Sequence, residues 1–161
     1  MSTIQAIREK IIQELPLWDQ PSISVGVVKE GEVILAEGFG YADQEKNLKA
    51  NQETLYQIGS CSKAFTAAAA ALLVDQGKLE WDRPVHEYLP WLEFKDPYTT
   101  AHATVRDLLC HRTGLPRHDA YWINGPCSRR EMVENLRNME PVWSFRSHWC
   151  YQNTCYVAVG M

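Results

Sequence analysis

Ser60 and Lys63 stand three residues apart at the head of an apolar run that continues through Ala64, Phe65, five consecutive alanines, Leu72, Leu73 and Val74, with Gly77 closing it. Positions three apart share a face of an α-helix, so a serine hydroxyl and a lysine amine at this spacing can meet, while Cys61 and Ser62 point elsewhere. Burial disfavours the charged form of a lysine, and a neutral amine beside a hydroxyl can take its proton and activate the oxygen as a nucleophile. The helix N-terminus adds partial positive charge and N–H groups near the oxyanion such an attack creates. Spacing alone is a weak signal, because Ser-x-x-Lys arises readily by chance and serine is a favoured helix cap. The run behind it adds weight. A helix apolar all round is expected to be buried, and a buried helix that opens with two hydroxyls and an amine needs a use for them.

Other chemistry is thinly represented. The five cysteines (Cys61, Cys110, Cys127, Cys150, Cys155) are odd in number and none has a CxxC spacing; reduced, mostly buried thiols are expected, which points to a cytoplasmic location. The five histidines lack a spacing such as HExxH, so neither a metal nor another cofactor is expected. A formal net charge of −4 with scattered basic residues argues against nucleic acid as a partner and leaves small molecules as the better choice. No stretch is long and apolar enough to suggest a membrane span, and residues 1–10 read as an amphipathic helix and not as a signal peptide. At 161 residues, 45% hydrophobic and 22% charged, the chain can bury one sizeable core.

The elements that position Ser60 and Lys63 are marked by caps and turns. Ser2 and Gln5 form a potential capping box for a helix carrying Ile4, Ile7, Ile11 and Leu15, stopped by Pro16. Alternating residues from Ser22 to Val28 and from Glu32 to Tyr41 flank Glu30-Gly31 and predict a β-hairpin. Gly26, Gly38 and Gly40 within it predict close approach of another element, for which the 60–76 helix is the obvious candidate. After Gly77, short helices are expected from Asp82-Arg83-Pro84, from a Thr104/Asp107 capping box, and from Ser128/Glu131. The aromatic stretch from Val142 to Tyr156 contains Tyr151-Gln152-Asn153 and leads into an apolar segment at Thr154 to Met161.

Gln57-Ile58-Gly59-Ser60-Cys61-Ser62-Lys63-Ala64-Phe65-Thr66-Ala67 is similar to the active-site helix of the serine β-lactamase and penicillin-binding protein superfamily, in the branch of class C β-lactamases, D-aminopeptidases, D-Ala-D-Ala carboxypeptidases and related esterases. Leu79 to Leu89 resembles the segment after that helix, Thr104 to Pro116 the family's TVRDLLxHxTGLP stretch, and Tyr151 to Gly160 its YxNxxYxxxG element, all in family order. The resemblance implies an α+β fold of β-lactamase/transpeptidase type, in which 1–161 is the N-terminal part of one domain, with helix, hairpin and active-site helix in 1–77 and part of the helical region in 78–161. It further implies Ser60 as nucleophile forming an acyl-enzyme, Lys63 as base or proton shuttle, Tyr151 in the proton relay, Asn153 binding substrate or holding the lysine, and the Ser60 N–H as half of an oxyanion hole. His111 and His118 are expected to be structural. Substrates would be small esters, amides, D-amino-acid peptides or β-lactams.

Two departures from the family pattern stand out: Trp143 to Trp149 replaces a Pro-Gly turn, and Gln152 replaces a small residue. The family's third motif, Lys-Thr-Gly or His-x-Gly on a later strand, has no counterpart here, so the chain reads as incomplete. It would then need its missing C-terminal strands for activity, or serve as a non-catalytic remnant that binds a ligand or a partner, the missing part or a second copy, without turnover.

Overall fold

The computed structural model describes residues 3–119, 123 and 127–161, which divide into two compact units, Met1–Gln57 and Ile58–Met161. In the first unit, helix α1 (Thr3–Glu14) runs into a 3₁₀ turn (Leu15–Trp18) with Pro16 in its opening positions, where a missing N–H costs nothing. Ser2, the expected cap, lies outside the described residues. Strands β1 (Ser22–Lys29) and β2 (Glu32–Asp43) pair antiparallel from Ser22↔Gly40 to Lys29↔Glu32, with a bulge at Val27/Val28. Glu30 and Gly31 both have positive φ, 52° and 84°, as a two-residue hairpin turn requires. A two-residue strand β3 (Leu48–Lys49), too short to leave a period in the sequence, adds to β2 and gives the order β1-β2-β3. Arg8 on α1 holds Glu37 on β2 through Nε, 2.9 Å from each carboxylate oxygen.

Two of the strand glycines, Gly38 and Gly40, have a close neighbour within their own unit. A Cβ at Gly38 would lie 2.3 Å from the backbone nitrogen of Asn51, so the close neighbour is the unit's own chain just after β3. Gly26, by contrast, faces open space among the described residues.

The second unit is helical. A 3₁₀ turn (Gly59–Cys61) leads into α2 (Ser62–Asp75), so Ser60 occupies a tighter preliminary turn and not the α-helix itself. Gly77 ends α2 with φ 66°; its N–H and that of Lys78 reach back to Val74 and Leu73 carbonyls at 2.9 Å, the usual left-handed stop. Only a 3₁₀ turn (Val85–Glu87) forms where a helix was expected after Pro84. Helix α3 (Pro97–His102), which the sequence reading omitted, is capped by Asp96 with Pro97 at its first position. Both expected capping boxes form: Thr104 with Asp107 on α4 (Val105–Leu109), and Ser128 with Glu131 on α5 (Arg129–Glu134). Helix α6 (Asn153–Val159) closes the order.

The core of this unit gathers Leu92, Leu108, Leu115, Val133, Leu136 and Cys155, each at most 2% exposed. A fully buried leucine or valine contributes about 1.5–3 kcal/mol, so these side chains fix the placement of α4, α5 and α6. Two expectations about burial do not hold. Along α2 only Ala70 is buried, while Phe65, Leu72 and Leu73 are exposed; apolarity reports what a helix can bury, not what the described residues around it cover. Of the five cysteines only Cys155 is buried, Cys61 and Cys110 being exposed and Cys127 and Cys150 half-buried.

Candidate active site

The loop after α4 sets Tyr151 in place. His111, at φ 57°, accepts the Cys150 N–H at its carbonyl, 2.8 Å away, and Arg112 accepts the Arg146 N–H at the same distance. Gly114 accepts the Val142 N–H at 3.0 Å, and a Cβ on it would meet the Trp143 carbonyl at 2.3 Å, so only glycine allows this approach. Residues 142–150 therefore lie along residues 111–114. This segment turns at Arg146, whose φ is 64° and whose guanidinium reaches the fully buried Asp107 at 2.7 and 2.9 Å. Burial pushes the Asp107 carboxyl up, but hydrogen bonds from Arg146, Thr104 and Arg112 outweigh it and hold the group at about 2.

Gln152 is 0% exposed, and its N–H, Nε2 and Oε1 each have a partner. Its N–H donates to His111 Nδ1 at 3.1 Å, its Nε2 donates to the Pro116 carbonyl at 2.7 Å, and its Oε1 accepts from the Thr154 N–H at 3.1 Å, capping α6. The sequence marked Gln152 only as a departure from pattern. In the structure it locks Tyr151 on one side and Asn153 on the other to the loop at 111–116. His111 accepting through Nδ1 is neutral in this arrangement; burial and then the Lys63 charge lower its pKa, and its ring packs 4.6 Å from that of Tyr151.

Against this frame the four sequence-selected residues converge. Tyr151 Oη lies 2.6 Å from Ser60 Oγ, and Lys63 Nζ lies 3.2 Å from the same oxygen. Lys63 Nζ donates to Asn153 Oδ1 at 2.6 Å and sits 4.6 Å from the Tyr151 ring centre. Ser60 is exposed, whereas Lys63, Tyr151 and Asn153 are half-buried, so the hydroxyl is reachable and its partners are partly shielded from water. Burial raises the Tyr151 phenol, yet hydrogen bonds to Lys63 and Ser60, with the charges of Lys63 and Arg117, bring it below the ordinary tyrosine value. A phenol so placed gives up its proton more readily and can exchange one with serine.

Sequence reasoning missed two contributors. Arg117 lies 5.1 Å over the Tyr151 ring, and Asp119 accepts from Asn153 Nδ2 at 3.1 Å while pairing with Arg117 at 2.6 Å. An open depression of about 360 Å³ beside Ser60 is lined by Arg117, Trp149, Cys150 and Tyr151. Among the described residues no cluster of His, Cys, Asp and Glu could hold a metal, and no helix is long and apolar enough to cross a membrane.

An α+β fold with an exposed serine beside a lysine and a tyrosine at the start of a helix agrees with the comparisons: the chain belongs to the Beta-lactamase family, whose model matches residues 9–161. It is 34% identical over 170 residues to an unguisins hydrolase of Aspergillus campestris, a match covering 97% of this chain and 30% of that protein. Protein flp of Staphylococcus aureus is 34% identical over 109 residues, covering 67% of this chain and 22% of flp. Among solved structures, the octameric penicillin-binding protein homologue of Pyrococcus abyssi superposes with a TM-score of 0.85 at 30% identity, over 99% of this chain and 38% of that one. D-amino acid amidase of Ochrobactrum anthropi gives 0.80 at 28%, over 99% of this chain and 45% of the amidase. The chain thus spans less than half the length of each of these relatives.

Proposed function

We propose that this chain carries the nucleophile side of a serine hydrolase that works through an acyl-enzyme on Ser60. Ser60 Oγ attacks an acyl carbon, and its proton passes to Lys63 or Tyr151 and on to the leaving group. Asn153 holds Lys63 and contacts substrate. The Ser60 N–H, in the first turn of the helical segment, supplies half of an oxyanion hole. Water then releases the acyl group. The substrate class is small esters, amides, D-amino-acid peptides or β-lactams, in keeping with relatives that include a hydrolase, a D-amino acid amidase and a β-lactamase. The observation that carries this reading is the placement of Tyr151 Oη and Lys63 Nζ at 2.6 and 3.2 Å from one exposed serine oxygen.

The test is intact-mass spectrometry after incubation with a fluorophosphonate and, separately, a penicillin. A single covalent adduct on wild type, absent in Ser60→Ala, is the expected result; a folded protein that takes up neither probe would sink the claim that this chain reacts by itself. The exposed apolar side of α2 favours a second reading, a remnant that binds a ligand or partner without turnover. Concentration-dependent association on size-exclusion chromatography, together with no adduct, would favour it over the first.

A further inference from the structure

One buried residue meets the backbone on both sides of Tyr151. The His111 carbonyl accepts the Cys150 N–H at 2.8 Å, and its Nδ1 accepts the Gln152 N–H at 3.1 Å. The ring is also packed among three aromatic side chains, with centres 4.6 Å from Tyr151, 5.2 Å from Tyr156 and 5.8 Å from Trp149. A peptide N–H only donates, so Nδ1 carries a lone pair and the neutral ring keeps its proton on Nε2. A histidine that merely fills space needs neither one tautomer nor two bonds to one segment. Among the described residues the charge acting on the ring is that of Lys63 on α2. The Tyr151 phenol from the segment before α6 and the Tyr156 phenol on α6 face it as well, and Cys110 and Arg112 flank it in its own loop. A second proton on the ring would go to Nδ1, set N–H against N–H and add positive charge near Lys63.

We propose that His111 is a positioning residue for the Ser60 site: its neutral ring and its carbonyl clamp the peptide groups that flank Tyr151, and this seats the phenol with Oη at 2.6 Å from Ser60 Oγ. Protonation of the ring opens the clamp on the Gln152 side, so the site has an acid limit set by a residue outside the reacting atoms. Burial and then the Lys63 charge favour the neutral ring, which places that limit below the ordinary histidine value of 6.5. The clamp is complete above that value and is lost as pH falls through the pKa of the ring. This inference rests on the reading of Ser60 and Tyr151 proposed above.

Two variants separate clamping from space filling, with thermal melts to show that each is folded. His111→Asn tolerates the φ of 57°, offers an acceptor near the place of Nδ1 and does not titrate. His111→Phe keeps an aromatic ring and loses the acceptor. The readout is the second-order rate of fluorophosphonate labelling at Ser60, followed by intact mass. At about pH 8 the rate should stay within about threefold of wild type in His111→Asn and fall about tenfold in His111→Phe, the scale of one buried N–H left unpaired. The ratio of wild-type to His111→Asn rates removes the titrations that the two proteins share, that of Lys63 included. It should be flat above about pH 7 and fall about tenfold as His111 takes up its proton. A merely structural histidine gives a flat ratio throughout, and that result, or an undiminished rate in folded His111→Phe, overturns the proposal. If His111→Phe does not fold, the ratio decides.

A second readout is independent of reactivity. In a long-range ¹H–¹⁵N spectrum the His111 ring should show a bare Nδ1 and a protonated Nε2 at neutral pH, and the Gln152 amide should move with the titration of the ring. A protonated Nδ1, or a Gln152 amide indifferent to that titration, also overturns the proposal. If wild type takes no label, the hydrolase reading fails while this spectrum still decides whether the clamp forms and opens.

Discussion

Two polar clusters in the helical unit both hold the chain between Val142 and Asn153, and they are built in opposite ways. Around Asp107 a fully buried carboxylate receives hydrogen bonds from Thr104, Arg112 and Arg146. Every partner donates and the carboxylate only accepts, so no proton has anywhere to go. Around Ser60 each of the three central groups, hydroxyl, amine and phenol, can both give and accept a proton, and the serine is open to solvent. The first cluster is a fastening. The second leaves its donor and acceptor roles open, which the proposed proton transfer requires.

The contrast can be broken at either end. Lys63→Ala should have the largest effect, lowering the Ser60 labelling rate by about 10²–10⁴ while leaving the melting temperature nearly unchanged. Asp107→Ala should do the reverse. Removing one member of a buried ion pair costs about 3 kcal/mol, seen as a fall of ~10 °C or more in melting temperature, with labelling lost only as the unit unfolds.

Acid sharpens the same point. Asp107 is held at about 2 against an ordinary 3.8. Its contribution is therefore fully present above about pH 4 and lost as pH falls through about 2, amounting to roughly 2 kcal/mol. Urea unfolding at pH 5 and pH 2 should show that loss in wild type and a smaller one in Asp107→Asn. The smallest effect is expected for Gln152→Ala, about 1–2 kcal/mol from a lost cap and an unpaired Pro116 carbonyl, measurable as a lower denaturation midpoint.

What could be read from the sequence was mostly what is local. The Glu30-Gly31 turn and the Thr104/Asp107 and Ser128/Glu131 boxes are set by residues within four positions of one another, and each forms as expected. Asp96-Pro97 carried an equally local signal that was passed over, and β3 is too short to carry one. The four expected site residues were reached through motif order, and they do converge. Arg117 and Asp119 left no trace, because what makes them relevant is proximity to residues 34 positions away, which no periodicity encodes. For α2, composition described an affinity for burial that the described residues of its own unit leave unmet at Phe65, Leu72 and Leu73.

Ser60 and Tyr151 are 91 residues apart along the chain, and Lys63 and Asn153 are 90 apart. Closing so long a loop is entropically unfavourable until the intervening core forms, so these contacts belong to the late, cooperative part of folding. The grouping of Ser60, Lys63, Tyr151 and Asn153 is consequently a property of the assembled helical unit and not of the segment that bears the serine. Each opening of that unit parts Ser60 from Tyr151 and Lys63 from Asn153, so any Ser60 labelling that depends on those contacts becomes a clock, under increasing denaturant, for how often the whole unit comes apart.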